Sequence, residues 1–263
     1  MNSNHAGTMI REWRTRRRLS QLDLAAEAEI SQRHLSFMES GRAKPSREMA
    51  LHLAERLDMP LRHRNLLLLT AGYAPGFSER ELDDDALEPA MRAVERVLAA
   101  HEPNPAIAVD RQWNLIRGNR AIGPFMAVAD AQLLAPPANV LRLSLHPKGL
   151  APYIANLAAW RAHLLHRLAR QNETFADPAM QALEAELRGY PGGVSKAPVV
   201  HDVAADIAVP LQLDIGGARL SFITTITVFG TPLDVTLSEL AIESFFPADE
   251  ATAKALQAAA AAS

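Results

Sequence analysis

Residues Ser20 to Gly41 constrain this chain more than any other stretch, because they specify two short helices held in close contact. Ser20 stands where its hydroxyl accepts from the backbone N–H of Asp23, and Ser31 stands in the same relation to His34. Each helix is therefore announced by its own cap. Ala25 is small where the helices must approach. Ile30, Leu35 and Met38 supply the apolar contacts that fix their angle, and Gly41 ends the second helix where a left-handed residue costs glycine least.

Two capped helices around a tight turn make the helix-turn-helix pattern, whose second helix enters a DNA major groove. The spacing over roughly residues 8–73 resembles the phage-repressor (Xre) class. That resemblance implies roles for individual residues. Gln21 grips a phosphate at its helix N-terminus, with Arg17, Arg42 and Lys44 as further phosphate contacts. Gln32, Arg33, Ser36 and Phe37 face base edges. Arg14 and Glu39 form a structural ion pair joining helix 1 to the recognition helix. Glu29 stands where the class carries a turn glycine, so it must accept positive φ at about 1 kcal/mol.

Charge fits this placement. The chain's formal net charge is -3, but residues 1–76 hold 12 Lys/Arg against 8 Asp/Glu, and residues 77–263 hold 15 against 22. The basic excess is local, with Arg11, Arg14, Arg16, Arg17 and Arg18 gathered on helix 1. Such a patch suits phosphate, while the acidic remainder is repelled by it. A run of charge is also what any solvated face carries, so it supports the motif without proving it. There is no cysteine among the 263 residues, which excludes disulfides, thiolate-bound zinc and cysteine nucleophiles. The opening residues lack an apolar signal region and Leu66-Leu67-Leu68-Leu69 is too short to span a bilayer. The expectation is a cytoplasmic protein with no membrane partner.

Further helices are expected at about 47–57 and 61–71, completing an all-α, five-helix repressor-type domain over residues 1–75. An acidic, turn-rich stretch then opens a linker and connecting helix over 76–102, the helix being either a connector or a dimer seam. Residues 103–250 read as an α+β domain. Strands are expected at Ala106-Ile107-Ala108-Val109 and 113–119, helices at 140–145, 153–170 and 179–188, and strands again at 207–215, 220–229 and 236–246. The Gly216-Gly217 turn favours a type I′ hairpin, and Pro247 is expected to stop the last strand. Residues 251–263 read as a helical tail with no chemistry.

The strand order, and Val109-Asp110 through Asn119-Arg120-Ala121, resemble a PAS-like sensor domain. Several blocks together are closer still to one family. These are Arg33-His34-Leu35-Ser36-Phe37, Asn65 through Ala71-Gly72-Tyr73-Ala74-Pro75, His146-Pro147-Lys148-Gly149-Leu150, Asn156-Leu157-Ala158-Ala159-Trp160-Arg161 and Phe229-Gly230-Thr231-Pro232-Leu233-Asp234-Val235-Thr236. They resemble the MmyB-like transcription regulators, in which an Xre-type reader is fused to a ligand-binding domain. The resemblance covers about residues 8–250. It implies a PAS-like fold, a homodimer on a double-stranded DNA operator, and a pocket for a fatty-acid-like or other small apolar effector, with no further cofactor.

Residues for such a pocket follow from position along the chain. Trp113, Trp160, Phe222 and Phe229 are large aromatics on elements facing a sheet–helix interior, and each equally suits a plain core. Asn119, His146, Asn156, Arg161 and His163 are polar groups near them. Asn119 also fits a helix cap, Asn156 a loop bond, and Arg161 a carboxylate fork or solvent. Leu157 lies on the apolar face of the 153–170 helix. No enzymatic motif stands up. His163 and His166 lack an acidic ligand, and the 189–196 stretch has the wrong order for a phosphate loop. The expectation is a non-enzymatic, ligand-modulated regulator of transcription. The alternative is a constitutive DNA-binding repressor whose second domain only dimerises or docks a protein.

Overall fold

The computed structural model describes residues 4–175, 177–192, 209–230 and 232–261. The chain forms two compact units: Met1–Leu82 with Gly230–Ser238, and Asp83–Phe229 with Glu239–Ser263.

The first unit contains α1 (Asn4–Arg16), α2 (Gln21–Glu27), α3 (Gln32–Glu39), α4 (Arg47–Arg56) and α5 (Leu61–Thr70). Ser20 Oγ accepts from Asp23 N at 3.1 Å while Asp23 Oδ2 accepts from Ser20 N at 2.9 Å, a reciprocal capping box. Those bonds, the one from Ser20's side chain foremost, hold the Asp23 carboxyl below its usual range. Its contribution to stability is therefore present above the unfolded value and is lost only as pH falls through the lower folded one. Ser31 and Ser46 cap α3 and α4 through His34 N and Met49 N. Glu29 adopts φ 53° and Gly41 φ 74°, so the turn conformation is met without glycine at the first position. The core gathers Ile10, Trp13, Leu24, Leu35, Met38, Leu53 and Leu67.

Helices α1 and α3 touch at Gly7, where a Cβ would stand only 2.1 Å from the Met38 carbonyl oxygen. Backbone cannot yield as a side chain does. Gly7→Val is expected to destabilise this unit by about 1–3 kcal/mol, read as lost hydrogen-exchange protection in α1 and α3.

The second unit contains α6 (Glu88–Ala100), β1 (Ala106–Val109), β2 (Leu115–Gly118), α7 (Gly123–Met126), α8 (Ala131–Leu134), α9 (Val140–Leu145), α10 (Leu157–Phe175), α11 (Pro178–Gly189), β3 (Leu211–Ile215), β4 (Ala218–Val228), β5 (Ala241–Pro247) and α13 (Glu250–Ala261). The strands form one antiparallel sheet in the order β2-β1-β5-β4-β3. It is an α+β domain. Strand β1 is buried on both faces, which explains its unbroken apolar run. Ile107 and Val109 enter the main core with Trp160, Leu164 and Leu168 of α10. Ala106 and Ala108 face the other way, onto Val94 and Leu98 of α6. The hairpin turn carries Gly216 at φ 63° and Gly217 at φ 78°, the two positive values that type I′ geometry requires.

Three expectations need correction. Residues 236–240 are not strand: α12 (Val235–Ser238) starts there, in the first unit, and β5 begins only at Ala241. Asp234 Oδ1 accepts from Thr236 N at 2.9 Å, and this helix-starting cap outweighs the β-branched pattern. Pro247 lies inside β5 at its last position rather than beyond it. The tail is also part of the fold. Thr252 and Leu256 of α13 are buried, and Thr252 Oγ1 accepts from Ser221 N at 2.9 Å. The expected start of a strand at Ile207, and residues 193–196 of the 189–196 stretch, lie outside the described residues.

Candidate DNA-reading helix and apolar cavity

Helix α3 leaves Gln32 and Arg33 exposed, with Ser36 and Phe37 half-buried beside them. The Arg33 guanidinium lies 5.3 Å from the Phe37 ring centroid and that of Arg42 lies 4.8 Å from it. Arg42 Nε also donates to Ser40 Oγ at 3.0 Å. Phe37 is thus a platform that orders two cations. Lys44 is exposed, its Nζ 4.5 Å from the Tyr73 ring.

The helix is braced from behind. Arg14 Nε donates to Glu39 Oε1 at 2.6 Å and Arg14 Nη2 to Oε2 at 3.0 Å, the pair that the resemblance implies. Gln21 Nε2 donates to the same Oε2 at 2.8 Å, and the Glu39 side chain is only 2% exposed. The bonds to Glu39 hold the Arg14 guanidinium above its ordinary value despite partial burial. Gln21 is consequently tied to Glu39, and any phosphate contact it makes starts from that position. Arg17 departs further from its assignment. Its Nε and Nη2 donate to the Leu57 and Asp58 carbonyls, each at 2.9 Å, capping the end of α4. These carbonyls lie forty positions away, and any phosphate contact that Arg17 makes starts from this tether.

Within the second unit lies a cavity of about 90 Å³. Its wall is mostly apolar and comes from β1, β3, β4, β5, α7, α9 and α10, with Trp160 and Phe222 among its residues. Trp160 Nε1 donates to Ser144 Oγ at 2.9 Å. His163 stacks on Trp160 with centroids 5.5 Å apart, and burial, then Arg167, holds its imidazole below the ordinary value.

The other expected pocket residues are placed elsewhere, each for a visible reason. Trp113, in a turn at φ 66°, packs in the core and donates through Nε1 to Gln171 Oε1 at 2.9 Å. Asn119 accepts from Ala106 N at 3.1 Å and donates to the Leu98 and Asn104 carbonyls, closing the loop before β1. His146 Nδ1 accepts from Lys148 N at 3.0 Å, and its ring meets Tyr190 edge-on. Asn156 bridges Gln212 N and the Pro210 carbonyl. Arg161 caps α11, donating to the Leu187, Arg188 and Gly192 carbonyls. Phe229 lies an odd step along the chain from Phe222, so it falls on the opposite sheet face, against the α6 cluster. Leu157 meets Gly192 rather than the cavity.

Arg167, Glu243 and Ser144 are the polar groups that do line the cavity, and sequence reasoning missed all three. Arg167 Nη1 donates to Glu243 Oε1 at 3.0 Å, and the Glu243 side chain is 5% exposed. A signal existed. Arg167 follows Trp160 and Leu164 on one face of α10, and Glu243 alternates with Ile242 so that it must point the same way as Phe245.

Against known families, residues 10–63 match a helix-turn-helix model and residues 90–259 match the MmyB-like transcription regulator ligand binding domain. The second match spans more than half of the chain, which belongs to the MmyB-like transcription regulators. It is a DNA-binding transcription regulator with a ligand-binding domain. No curated protein matches the chain. Among the described residues, no helix is long and apolar enough to cross a membrane.

Proposed function

We propose that a small apolar effector, fatty-acid-like in its chain, enters this cavity and changes the protein's affinity for its operator, which a homodimer reads as two half-sites about 34–36 Å apart. The observation that carries the reading is an apolar cavity with a single charged pair in its wall. Size then limits the ligand. At about 90 Å³ the cavity is smaller than the ~150 Å³ void that accepts benzene, so an acyl chain fits only by displacing part of the wall or by extending out through its open side. A displaced wall gives the ligand a different affinity for two states of the protein, and only through such a difference does a ligand shift their balance.

A route for that difference runs through the chain. Strands β4 and β5 carry the cavity residues Phe222, Glu243 and Phe245. The segment joining them, Gly230–Ser238, packs with the N-terminal helices in the first unit. There Arg80 Nη1 donates to Asp234 Oδ2 at 2.8 Å, Val235 N to the Ser78 carbonyl at 2.8 Å, and Thr236 Oγ1 to the Arg80 carbonyl at 2.6 Å. Asp234→Ala removes both the ion pair and the cap of α12. It is expected to leave ligand affinity unchanged while bringing a ligand effect on DNA affinity, ordinarily about 5–150-fold, close to one. Parallel ligand and DNA titrations of the variant check this.

Native mass spectrometry of the purified protein tests the reading itself. A co-purifying small apolar molecule supports it. A protein that neither carries nor takes up any alkyl ligand favours the constitutive DNA binder instead.

A further inference from the structure

Arg167 is unusual among the cations of this protein. Its guanidinium lies 4.2 Å from the Trp113 ring centroid and donates through Nη1 to Glu243. Its Nη2 is buried and, among the described residues, donates to nothing. A buried donor on a charged group is expensive to leave unpaired, so it marks a place where an acceptor belongs. Ser144, also in the cavity wall, accepts from Trp160 and keeps its own hydroxyl hydrogen for a further acceptor.

We propose that Arg167 and Glu243 make this cavity select an uncharged head group bearing one strong acceptor, such as a ketone, ester or amide carbonyl, over a carboxylate. The inference rests on the ligand-responsive reading above and adds the chemistry of the ligand's polar end. Glu243 already neutralises Arg167. Arg167 lines the cavity with its Nη2 still covered, so an entering carbonyl oxygen that displaces part of the wall gains a charge-assisted hydrogen bond from Nη2 and brings no charge of its own. An entering carboxylate gains the same bond but must shed its water beside the Glu243 carboxylate, in a wall that is otherwise apolar. The Trp113 ring and Glu243 restrain the guanidinium, so little side-chain freedom remains to be lost when the ligand arrives. The Arg161 fork, which sequence reasoning offered to a carboxylate, is occupied by three backbone carbonyls.

The test compares 2-octanone with octanoate on the full-length protein at about pH 7.5, where octanoate is ionised, following the tryptophan fluorescence. 2-Octanone is expected to bind wild type at least about tenfold more tightly, because the like charge counts against octanoate alone. Glu243→Gln keeps an acceptor for Arg167 Nη1 and removes the negative charge. Octanoate is then expected to gain about tenfold while 2-octanone changes by less than about twofold. Equal or tighter binding of octanoate to wild type overturns the proposal, and that comparison needs no variant. So does a Glu243→Gln protein, folded by circular dichroism, that keeps the wild-type preference. If neither compound binds wild type at millimolar concentration, the ligand reading of the cavity itself fails, and this inference fails with it.

Discussion

Glu39→Ala is expected to lower the stability of the N-terminal helical unit by about 3–5 kcal/mol, because it strands a paired group in a buried site. The Glu39 carboxylate is 2% exposed and accepts from Arg14 twice and from Gln21 once. Alanine leaves the Arg14 guanidinium, itself only 13% exposed, with the Leu19 carbonyl as its remaining partner. It also frees the C-terminal turn of the helix that carries Arg33. The measurement is amide hydrogen exchange at Leu24, Leu35 and Met38 in the full chain, which isolates this unit from the second core. Exchange about 10²- to 5 × 10³-fold faster corresponds to the expected loss. Exchange within about fivefold of wild type means that the brace contributes little. Glu39→Gln, which keeps two acceptor or donor positions at the same place, is expected to fall between the two.

Arg33→Ala is expected to lose about 1–3 kcal/mol on the preferred operator, and to relax preference at one base pair. Arg33 is exposed on α3, and its guanidinium lies over the Phe37 ring, 5.3 Å from the centroid. An arginine already held in plane gives up less side-chain freedom when it donates to guanine O6 and N7. On scrambled DNA the same variant is expected to lose far less. Gln21→Ala is expected to weaken both DNAs alike, because its helix end approaches phosphate rather than bases. Fluorescence anisotropy with matched duplexes at one salt concentration separates these patterns. Equal losses from Arg33→Ala on operator and scrambled DNA remove it from the base-reading set.

The N-terminal unit was legible in the sequence because its signals are local. Ser20, Ser31 and Gly41 act within four residues of themselves, while the Arg14–Glu39 pair, 25 positions apart, is reached only through the family resemblance. The tether of Arg17 was not legible for the opposite reason: its partners, the Leu57 and Asp58 carbonyls, are local to nothing around it. The sheet was legible where alternation and the Gly216-Gly217 turn spoke, and misread at Thr236, where Asp234 starts a helix inside a β-branched run. The cavity was the least legible part. Polar residues near aromatics in sequence turned out to be loop and helix caps, as with Asn119, Asn156 and Arg161. The group that matters, Arg167, is recognised only once a strand brings Glu243 to it across the core.

The central claim is that occupation of the cavity changes how tightly the reader holds DNA. Operator affinity should therefore be measured with and without saturating 2-octanone, on wild type and on Leu164→Trp, which places an indole at a cavity-lining position of α10. The expected result is a ligand-dependent change of at least about fivefold for wild type, and none for the variant, whose ligand-free affinity stays near normal. The same operator affinity for wild-type protein with the ligand bound and with it absent contradicts the account.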